Sequence, residues 1–262
     1  MRSVAAFSPA ARRVFRAVLL ALSAAVAPSA ASALTLPFWM HLPEGVSSYS
    51  GRIDGLFRLI LWITGVIFVV VEALLLYFVI RYRHREGRRA HYTHGNNRLE
   101  VVWTIVPAVI CVVLALLSRR TWAEIKQQMP EGALPIEITG EQFAWNIRYT
   151  GPDGKFDTAD DIVTLNQLHF PVGRPVVVTL RSKDVIHSFF LPEFRVKQDA
   201  VPGMSTHIWF DATRTGNWEI ACAELCGLGH YRMKGFVTVE SPEDFQKWLA
   251  EQQTPQEAKQ SP

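Results

Sequence analysis

The chain has 262 residues and a formal net charge of +3, and its 49% hydrophobic content is too high for a disordered protein. The charge is unevenly distributed, because the part from Thr121 onward carries 19 acidic and 13 basic side chains, a net charge of −6. An acidic region of that size argues against nucleic-acid binding and favours a basic partner.

The first 33 residues predict a secretory signal peptide. Four arginines precede a short apolar run, Val18–Ala27, and residues 31–33 are small enough for cleavage. A third membrane helix is the alternative, but the run is too short to span a bilayer and is followed by Pro28. Residues 34–56 are then expected to form a segment outside the cytoplasm.

Two apolar segments, Leu59–Ile80 and Val101–Leu117, are long enough to cross a bilayer. Six arginines lie in the stretch between them, and such a stretch stays on the cytoplasmic side. Residues 57–120 are therefore predicted to form a transmembrane helical hairpin, followed by an exoplasmic domain. Glu72 interrupts the first segment, and because a carboxylate inside a membrane is costly we expect it to face another subunit.

From Leu134 onward the sequence consists of short runs rich in Val, Ile, Thr and aromatic residues, separated by Gly and Pro. Seven strands are predicted: Pro135–Thr139, Ala144–Tyr149, Ile162–Leu165, Val176–Arg181, Thr206–Phe210, Gly216–Cys222 and Gly235–Val239. That many short strands favour a β-sandwich or a Greek-key barrel. Residues 241–252 predict a capped C-terminal helix, and the polar residues 253–262 predict a disordered tail.

The loop at residues 151–161 contains four aspartates, Asp153, Asp157, Asp160 and Asp161, whose spacing resembles that of a calcium loop. It lacks the order of ligands and the closing glutamate that such loops require. A hairpin turn with solvated carboxylates is the better interpretation.

A block of twelve residues from Cys222 to Met233 contains two thiols, an imidazole and a thioether, and this donor set favours copper. A disulfide between Cys222 and Cys226 would leave His230, Met233 and the distant His187 unexplained. A zinc site of two cysteines and two histidines has no thioether. A mononuclear blue-copper site needs only one cysteine. Two bridging thiolates with one imidazole for each metal suit two coppers better.

With these motifs the chain resembles subunit II of the haem–copper cytochrome c oxidases, which carries the binuclear copper A (CuA) centre. The resemblance extends from Leu34 to about Leu249, and the segments that carry it are the hairpin, Glu100–Ala108, Asp184–Ser188, Lys197–Gly203 and Cys222–Met233. It implies an all-β cupredoxin-like Greek-key barrel at residues 121–240.

The implied function is electron transfer in a respiratory terminal oxidase. Electrons from cytochrome c would enter at CuA and pass to haem in subunit I, where oxygen is reduced and protons are pumped. The implied partners are subunit I, subunit III and cytochrome c. The implied location is the bacterial inner (cell) membrane, with the copper domain on the periplasmic side.

By the same resemblance, Cys222 and Cys226 bridge both coppers, His187 and His230 each complete one, and Met233 is a weak axial ligand. Glu224 would supply its backbone carbonyl to a copper, while its carboxylate binds magnesium at the boundary with subunit I.

Further roles are implied outside the metal ligands. Asp199 matches the position near the haem propionates and the magnesium. Glu100, which on pattern alone is an interfacial anchor, matches the mouth of a proton-uptake path. Phe143 stands where the family has the tryptophan that accepts the electron. Trp145 is the other candidate for that role, although a packed strand residue is the simpler interpretation.

Two other classes of protein share some of these features. Membrane-anchored copper chaperones also use two cysteines and a distant histidine, but they resemble thioredoxin folds with one membrane helix. Quinol-oxidising relatives have lost the copper. The intact set of His187, Cys222, Cys226, His230 and Met233 argues against the second class.

Overall fold

The computed structural model describes residues 42–253. The predicted signal peptide and residues 254–262 of the predicted tail lie outside this range. Two long helices come first, α1 at Ser50–Arg81 and α2 at Asn97–Lys126. By length and composition both could cross a membrane, and most of their large apolar side chains are exposed. Asn96 caps α2, since its side-chain oxygen accepts hydrogen bonds from two backbone N–H groups of the first turn.

The rest of the described chain is a two-sheet β domain closed by one helix. Its elements are β1 Leu134–Glu141, β2 Ala144–Tyr149, β3 Ile162–Leu165, β4 Gln167–Pro171, β5 Val176–Ser182, β6 His187–Leu191, β7 Val196–Ala200, β8 Thr206–Phe210, β9 Gly216–Cys222, β10 Lys234–Glu240 and α3 Pro242–Gln253. One sheet has the order β3-β2-β1-β5-β8 and the other β4-β10-β9-β6-β7. The pairs β1–β5 and β4–β10 are parallel, and the remaining pairs are antiparallel.

The predicted fold class is confirmed, and all seven predicted strands occur. Three further strands, β4, β6 and β7, were not predicted, and His187 begins one of them. The predicted terminal helix is present, and Gln253, expected to start the disordered tail, is its last residue.

The core lies between the two sheets. Side chains alternate between buried and partly exposed along β2, β5 and β10, as expected for strands with one face on a core. Aromatic side chains fill the interior, and their rings meet mainly edge to face: Trp145, Phe170, Phe189, Phe194 and Phe210.

A short segment before α1 attaches the hairpin to the β domain. Val46 is buried; its backbone N–H donates to Glu193, and its carbonyl accepts from Thr213. The guanidinium of Arg195 donates to both carboxylate oxygens of Asp54 in α1, at 2.7 and 3.0 Å. We call the Asp54–Arg195 pair and these backbone bonds the clasp. Because both charged side chains are largely buried, the pair is screened less by water than a surface ion pair.

Candidate metal centre

The metal-ligand block is a loop between two neighbouring antiparallel strands. β9 ends at Cys222 and β10 begins at Lys234, and the backbone N–H of Cys222 donates to the carbonyl of Met233 at 3.2 Å. His230–Arg232 forms a single 3₁₀ turn inside the loop. Because the two ends of the loop meet, side chains that are eleven residues apart can point into one small volume.

Five of the six predicted metal-binding groups converge around Cys226. Its Sγ lies 3.9 Å from Sγ of Cys222, 3.7 Å from Nδ1 of His230 and 3.6 Å from Sδ of Met233. Sγ of Cys222 lies 3.3 Å from the carbonyl oxygen of Glu224. The separation of the two sulfurs is too long for a disulfide bond, which measures about 2.05 Å, so the two cysteines are not bonded to each other in this structure.

His187 completes the set from a different part of the fold. It begins β6, and Phe189 of the same strand pairs with Cys222 of β9. A ring nitrogen of His187 lies within 4.8 Å of the sulfurs of both Cys222 and Cys226. Within residues 42–253, His187, Cys222 and Cys226 form the only group of three or more His, Cys, Asp or Glu side chains placed to hold a metal ion.

The two ring nitrogens of His187 have different surroundings. Nε2 lies 2.7 Å from Oδ1 of Asp184, whereas Nδ1 is buried and has no hydrogen-bond partner among the described residues. An unpaired buried nitrogen is costly, and a histidine that binds a metal commonly gives its other nitrogen to a carboxylate. The residues therefore fit a soft metal such as copper, with Nδ1 of His187 as a ligand atom.

Asp184 is the orienting carboxylate of the site. Burial opposes its ionisation, but hydrogen bonds from His187 and from the backbone N–H groups of Gln142 and Val185 outweigh that effect and lower its pKa. Its role was not predicted from the sequence, although it lies in a segment that carries the family resemblance.

The two neighbouring cysteines can both be thiolates only when a positive charge compensates them. Burial first, and then the neighbouring Cys222, raise the pKa of Cys226 to about 11. Two adjacent thiolates are therefore unfavourable at neutral pH unless a cation binds between them, and binding of that cation releases protons.

Phe143 lies against the outside of the metal-ligand loop. The side-chain amide of Gln142 donates to the carbonyl of Cys226, and the Phe143 ring packs so closely on Gly229 that a Cβ there would lie 2.4 Å from a ring carbon. Only glycine fits under the ring. Phe143 is 37% exposed, so it has contact with both the loop and solvent.

Trp145 lies inside the domain instead. It is fully buried, with its ring edge-on to the rings of His187 and Phe189 at centroid distances of 6.0 and 5.5 Å. Its indole Nε1 has no hydrogen-bond partner among the described residues. A donor protein could not contact this side chain directly.

The remaining predicted residues lie at separate places. Asp199 pairs with Ser188 across β6 and β7 and accepts a 2.7 Å hydrogen bond from its hydroxyl, one residue from His187. The side chain of Glu224 is exposed. Glu100 lies in the first turn of α2, where the helix dipole favours an acid, and not at the metal site. Glu72 is half-buried in α1.

Carboxylates of the 151–161 loop bind the loop itself. Asp153 and Asp161 accept hydrogen bonds from backbone N–H groups of Lys155 and Asp157, and Asp157 pairs with Arg148. Contacts of this kind, from carboxylates to nearby backbone N–H groups, are typical of a turn.

Comparison with known proteins gives the same family for both parts of the chain. Residues 35–120 match the family model described as cytochrome c oxidase subunit II, transmembrane domain, and residues 134–240 match the one described as its periplasmic domain.

Similar proteins cover most of the chain. The alternative cytochrome c oxidase subunit 2 of Bradyrhizobium diazoefficiens is 38% identical over an alignment of 240 positions, gaps included, which covers 82% of this chain and 85% of that protein. The cytochrome c oxidase subunit 2 of Thermostichus vulcanus is 32% identical over an alignment of 277 positions, gaps included, which covers 83% of this chain and 82% of that protein.

Among solved structures, the periplasmic domain of subunit II of cytochrome oxidase from Bradyrhizobium japonicum is 34% identical. It covers 47% of this chain and 96% of its own length, with a TM-score of 0.42. By the two family models and the identity to these relatives, the chain belongs to the cytochrome c oxidase subunit II family.

Proposed function

We infer that this chain is the subunit through which electrons enter a cytochrome c oxidase, and that it passes them to haem in subunit I. The observation that carries this function is the convergence of two free thiols, two imidazole nitrogens and a thioether at one end of a rigid β domain. Copper held by such donors supplies one-electron redox chemistry.

We propose the following ligand roles. The thiolates of Cys222 and Cys226 would both be shared by two coppers, Nδ1 of His187 and Nδ1 of His230 would each hold one of them, and the thioether of Met233 would be a weaker donor. The backbone carbonyl of Glu224 is the last donor. The protein's own contribution is to hold these atoms in one arrangement, since five of them lie on a loop tied at both ends and His187 is fixed by Asp184.

We further propose that Glu224 and Asp199 form the contact with subunit I. The exposed carboxylate of Glu224 would bind magnesium there, while its carbonyl belongs to the metal site. Asp199 would lie near the haem propionates. Its carboxylate is joined to β6 through Ser188, next to His187, which gives a short covalent and hydrogen-bonded route from the metal site to that contact.

The proposed donor is a basic, soluble cytochrome c that binds over Phe143. Exposed apolar side chains of the metal-ligand loop, Leu225, Leu228 and Tyr231, are available for contact, and the net charge of −6 from Thr121 onward would steer a basic partner. We favour Phe143 over Trp145 as the residue where electrons enter, because Phe143 is partly exposed and touches the loop.

At the other side of the membrane, Glu100 is proposed as the entrance of a proton path at the cytoplasmic end of α2. The chain is proposed to act in the inner membrane of a bacterium, together with subunit III. The boundaries given above for the signal peptide and the other segments remain predictions. The copper-chaperone alternative is not favoured, since two helices and a two-sheet β domain do not match its architecture.

The ligand assignment is tested by the copper content and the electron paramagnetic resonance spectrum of the full-length protein purified in detergent. We expect two coppers for each chain and hyperfine structure from two equivalent nuclei that share one unpaired electron. One copper with a four-line pattern would contradict the binuclear site.

The donor site is tested by the rate of electron transfer from a soluble cytochrome c. Phe143→Ala should slow transfer without changing the copper spectrum, while Trp145→Phe should leave the rate unchanged. The wild-type rate should fall as ionic strength rises through the range where the Debye length is about 10 Å. A rate that is independent of salt and of Phe143 would exclude this docking mode.

A further inference from the structure

Gly140 lies directly beside the ring of His187, although it is not one of the metal-binding groups. It is buried in β1, where it pairs with Trp145 of β2 and with Ser182 of β5. Its φ is not positive, so the backbone conformation does not require glycine. Glycine inside a strand weakens the strand and often marks a place where another group approaches the backbone closely. The reason for glycine here therefore lies in its neighbours.

The neighbours of Gly140 leave no room for a side chain. A Cβ at this position would lie 3.1 Å from Cδ2 and 3.2 Å from Cγ of His187, and 3.1 Å from Cζ3 of Trp145. Carbon atoms pack best at about 3.5–4.0 Å from each other, so even one methyl group would press on both rings. The imidazole ring of His187 thus lies against the bare backbone of β1, at a distance that only glycine allows.

Three contacts together hold the imidazole ring of His187. Gly140 lies beside the ring carbons, Asp184 lies 2.7 Å from Nε2, and the Trp145 ring is edge-on at a centroid distance of 6.0 Å. The side chain of His187 has no exposed surface, and Nδ1 is its one ring nitrogen without a partner in the part of the chain that the structure describes. Because the ring is rigid, a displacement of Cγ and Cδ2 also displaces both nitrogens.

We propose that Gly140 is a positioning residue of the metal centre. Because it has no side chain, β1 can hold the ring of His187 in the place where Nδ1 lies near the thiols of Cys222 and Cys226. The inference rests on the proposed function, in which His187 is a copper ligand. Asp184 fixes the ring through a nitrogen, and Gly140 fixes it from the carbon side, so packing and a hydrogen bond together lock the ligand in one geometry.

The test compares Gly140→Ala with the wild type, both as full-length proteins in detergent. Competition with a chelator gives the copper affinity, electron paramagnetic resonance reports on the copper site, and the Tm of the copper-free protein reports on the fold. We expect the added methyl group to weaken copper binding by about 10–100-fold, the usual effect of changing a residue that supports a metal ligand. The resonance spectrum should change as well, because displacement of Nδ1 alters the surroundings of one copper and makes the two nuclei inequivalent.

Gly235→Ala is the matched control. Gly235 lies in β10, and a Cβ there would also lie 3.1 Å from its nearest neighbours, the side chain of Ile220 and the backbone of Asn166, neither of which is a metal-binding group. This variant should lower the Tm of the copper-free protein but keep the copper affinity and the spectrum of the wild type. If Gly140→Ala also lowers only the Tm, Gly140 has a packing role alone and the proposal is wrong. Equal losses of copper affinity in the two variants would overturn it as well.

If Gly140→Ala does not fold, the double variant Gly140→Ala/Trp145→Phe takes its place, because the smaller ring removes Cζ3 and makes room for the methyl group. It is compared with Trp145→Phe alone, and equal affinities and spectra in these two proteins would contradict the role of Gly140. Failure of the proposed function gives a different result. One copper with a four-line spectrum in the wild type would contradict the binuclear site, whereas the role of Gly140 is decided by the difference in copper affinity between variant and parent.

Discussion

The two ends of the β domain each contain a sheltered histidine, and the two histidines differ in what surrounds them. At the metal end, His187 is fully buried, held by Asp184 through Nε2, and its Nδ1 has no partner within residues 42–253. At the opposite end, His169 lies 3.3 Å from Glu240 through Nδ1, and its ring stacks on Trp248 of α3 at 4.2 Å.

The difference separates a binding position from a packing position. His169 is covered by the Trp248 ring, and burial lowers its pKa even though Glu240 opposes that shift. Its contacts are those of a packed side chain. In His187, Nε2 likewise lies beside a carboxylate, that of Asp184. Its Nδ1 has no hydrogen-bond partner in the described part of the chain and lies near the two thiols. Burial alone does not distinguish functional from structural histidines, whereas an unpaired atom beside other donors does.

The largest expected effect is at the metal end. Cys226→Ser should reduce bound copper from two atoms to one or none for each chain, because the buried sulfur of Cys226 lies within 4 Å of three other donors of the loop. The measurement is copper content with the resonance spectrum. Cys111→Ser, in the exposed middle of α2, is the control and should retain both coppers. Two coppers in Cys226→Ser would show that this thiolate is not a bridge.

At the packing end, Phe245→Ala should lower stability and leave the metal alone. Phe245 is fully buried against Tyr149 and Trp248, and truncation of such a side chain typically costs about 3–5 kcal/mol. Thermal or denaturant unfolding measures the loss, and copper content should remain two. Gln246→Ala, exposed on the same helix, should change neither quantity. Copper loss in folded Phe245→Ala would mean that the two ends are coupled.

A smaller effect is expected when the support of His187 is removed. Asp184→Ala should weaken copper binding by about 10–100-fold, the usual cost of losing the carboxylate behind a metal-binding histidine. Competition with a copper chelator gives the affinity. Glu243→Gln removes one negative charge from an exposed position on α3 and controls for net charge. Equal affinities in the two variants would leave Asp184 with no orienting role.

The smallest effect concerns pH and His169. Its pKa is lower in the folded than in the unfolded protein, so the unfolded chain binds more protons between the two values. The resulting stability is fully present above the unfolded value of about 6.5 and is lost as pH falls towards the folded value. His169→Gln should therefore show a shallower loss of copper-free stability between pH 7 and 5. His207→Gln, on an exposed histidine, should keep the wild-type slope.

How much of the site the sequence could predict depended on sequence separation. Cys222, Cys226, His230 and Met233 lie in one loop, so their spacing alone predicts a metal site. His187 lies 35 residues before Cys222, and the family resemblance supplied its role. Gln142 donates to this loop through its side chain and to Asp184 through its backbone N–H. These bonds join three turns that are far apart in the sequence, so no local pattern predicts them.

The strands that were missed have a similar physical explanation. Four of the five residues of β6 are buried, so it lacks the alternation that identifies a strand with one solvent face. β7 reads Val-Lys-Gln-Asp-Ala and is polar in its middle, where Asp199 and Lys197 are exposed. β6 pairs with β7 and β9, and β7 pairs with β6. These pairings, and not the composition of either strand, determine where the two strands form.

The clasp between α1 and the β domain has a mechanical consequence. A domain on a loose tether would swing, and the separation between its metal and an acceptor inside the membrane would vary from moment to moment. Here Asp54, near the start of α1, forms an ion pair with Arg195, and the backbone of Val46 is hydrogen-bonded to two loops of the β domain. Any tilt of the helix therefore moves the β domain with it. The hairpin in this way fixes the height of the metal site above the bilayer.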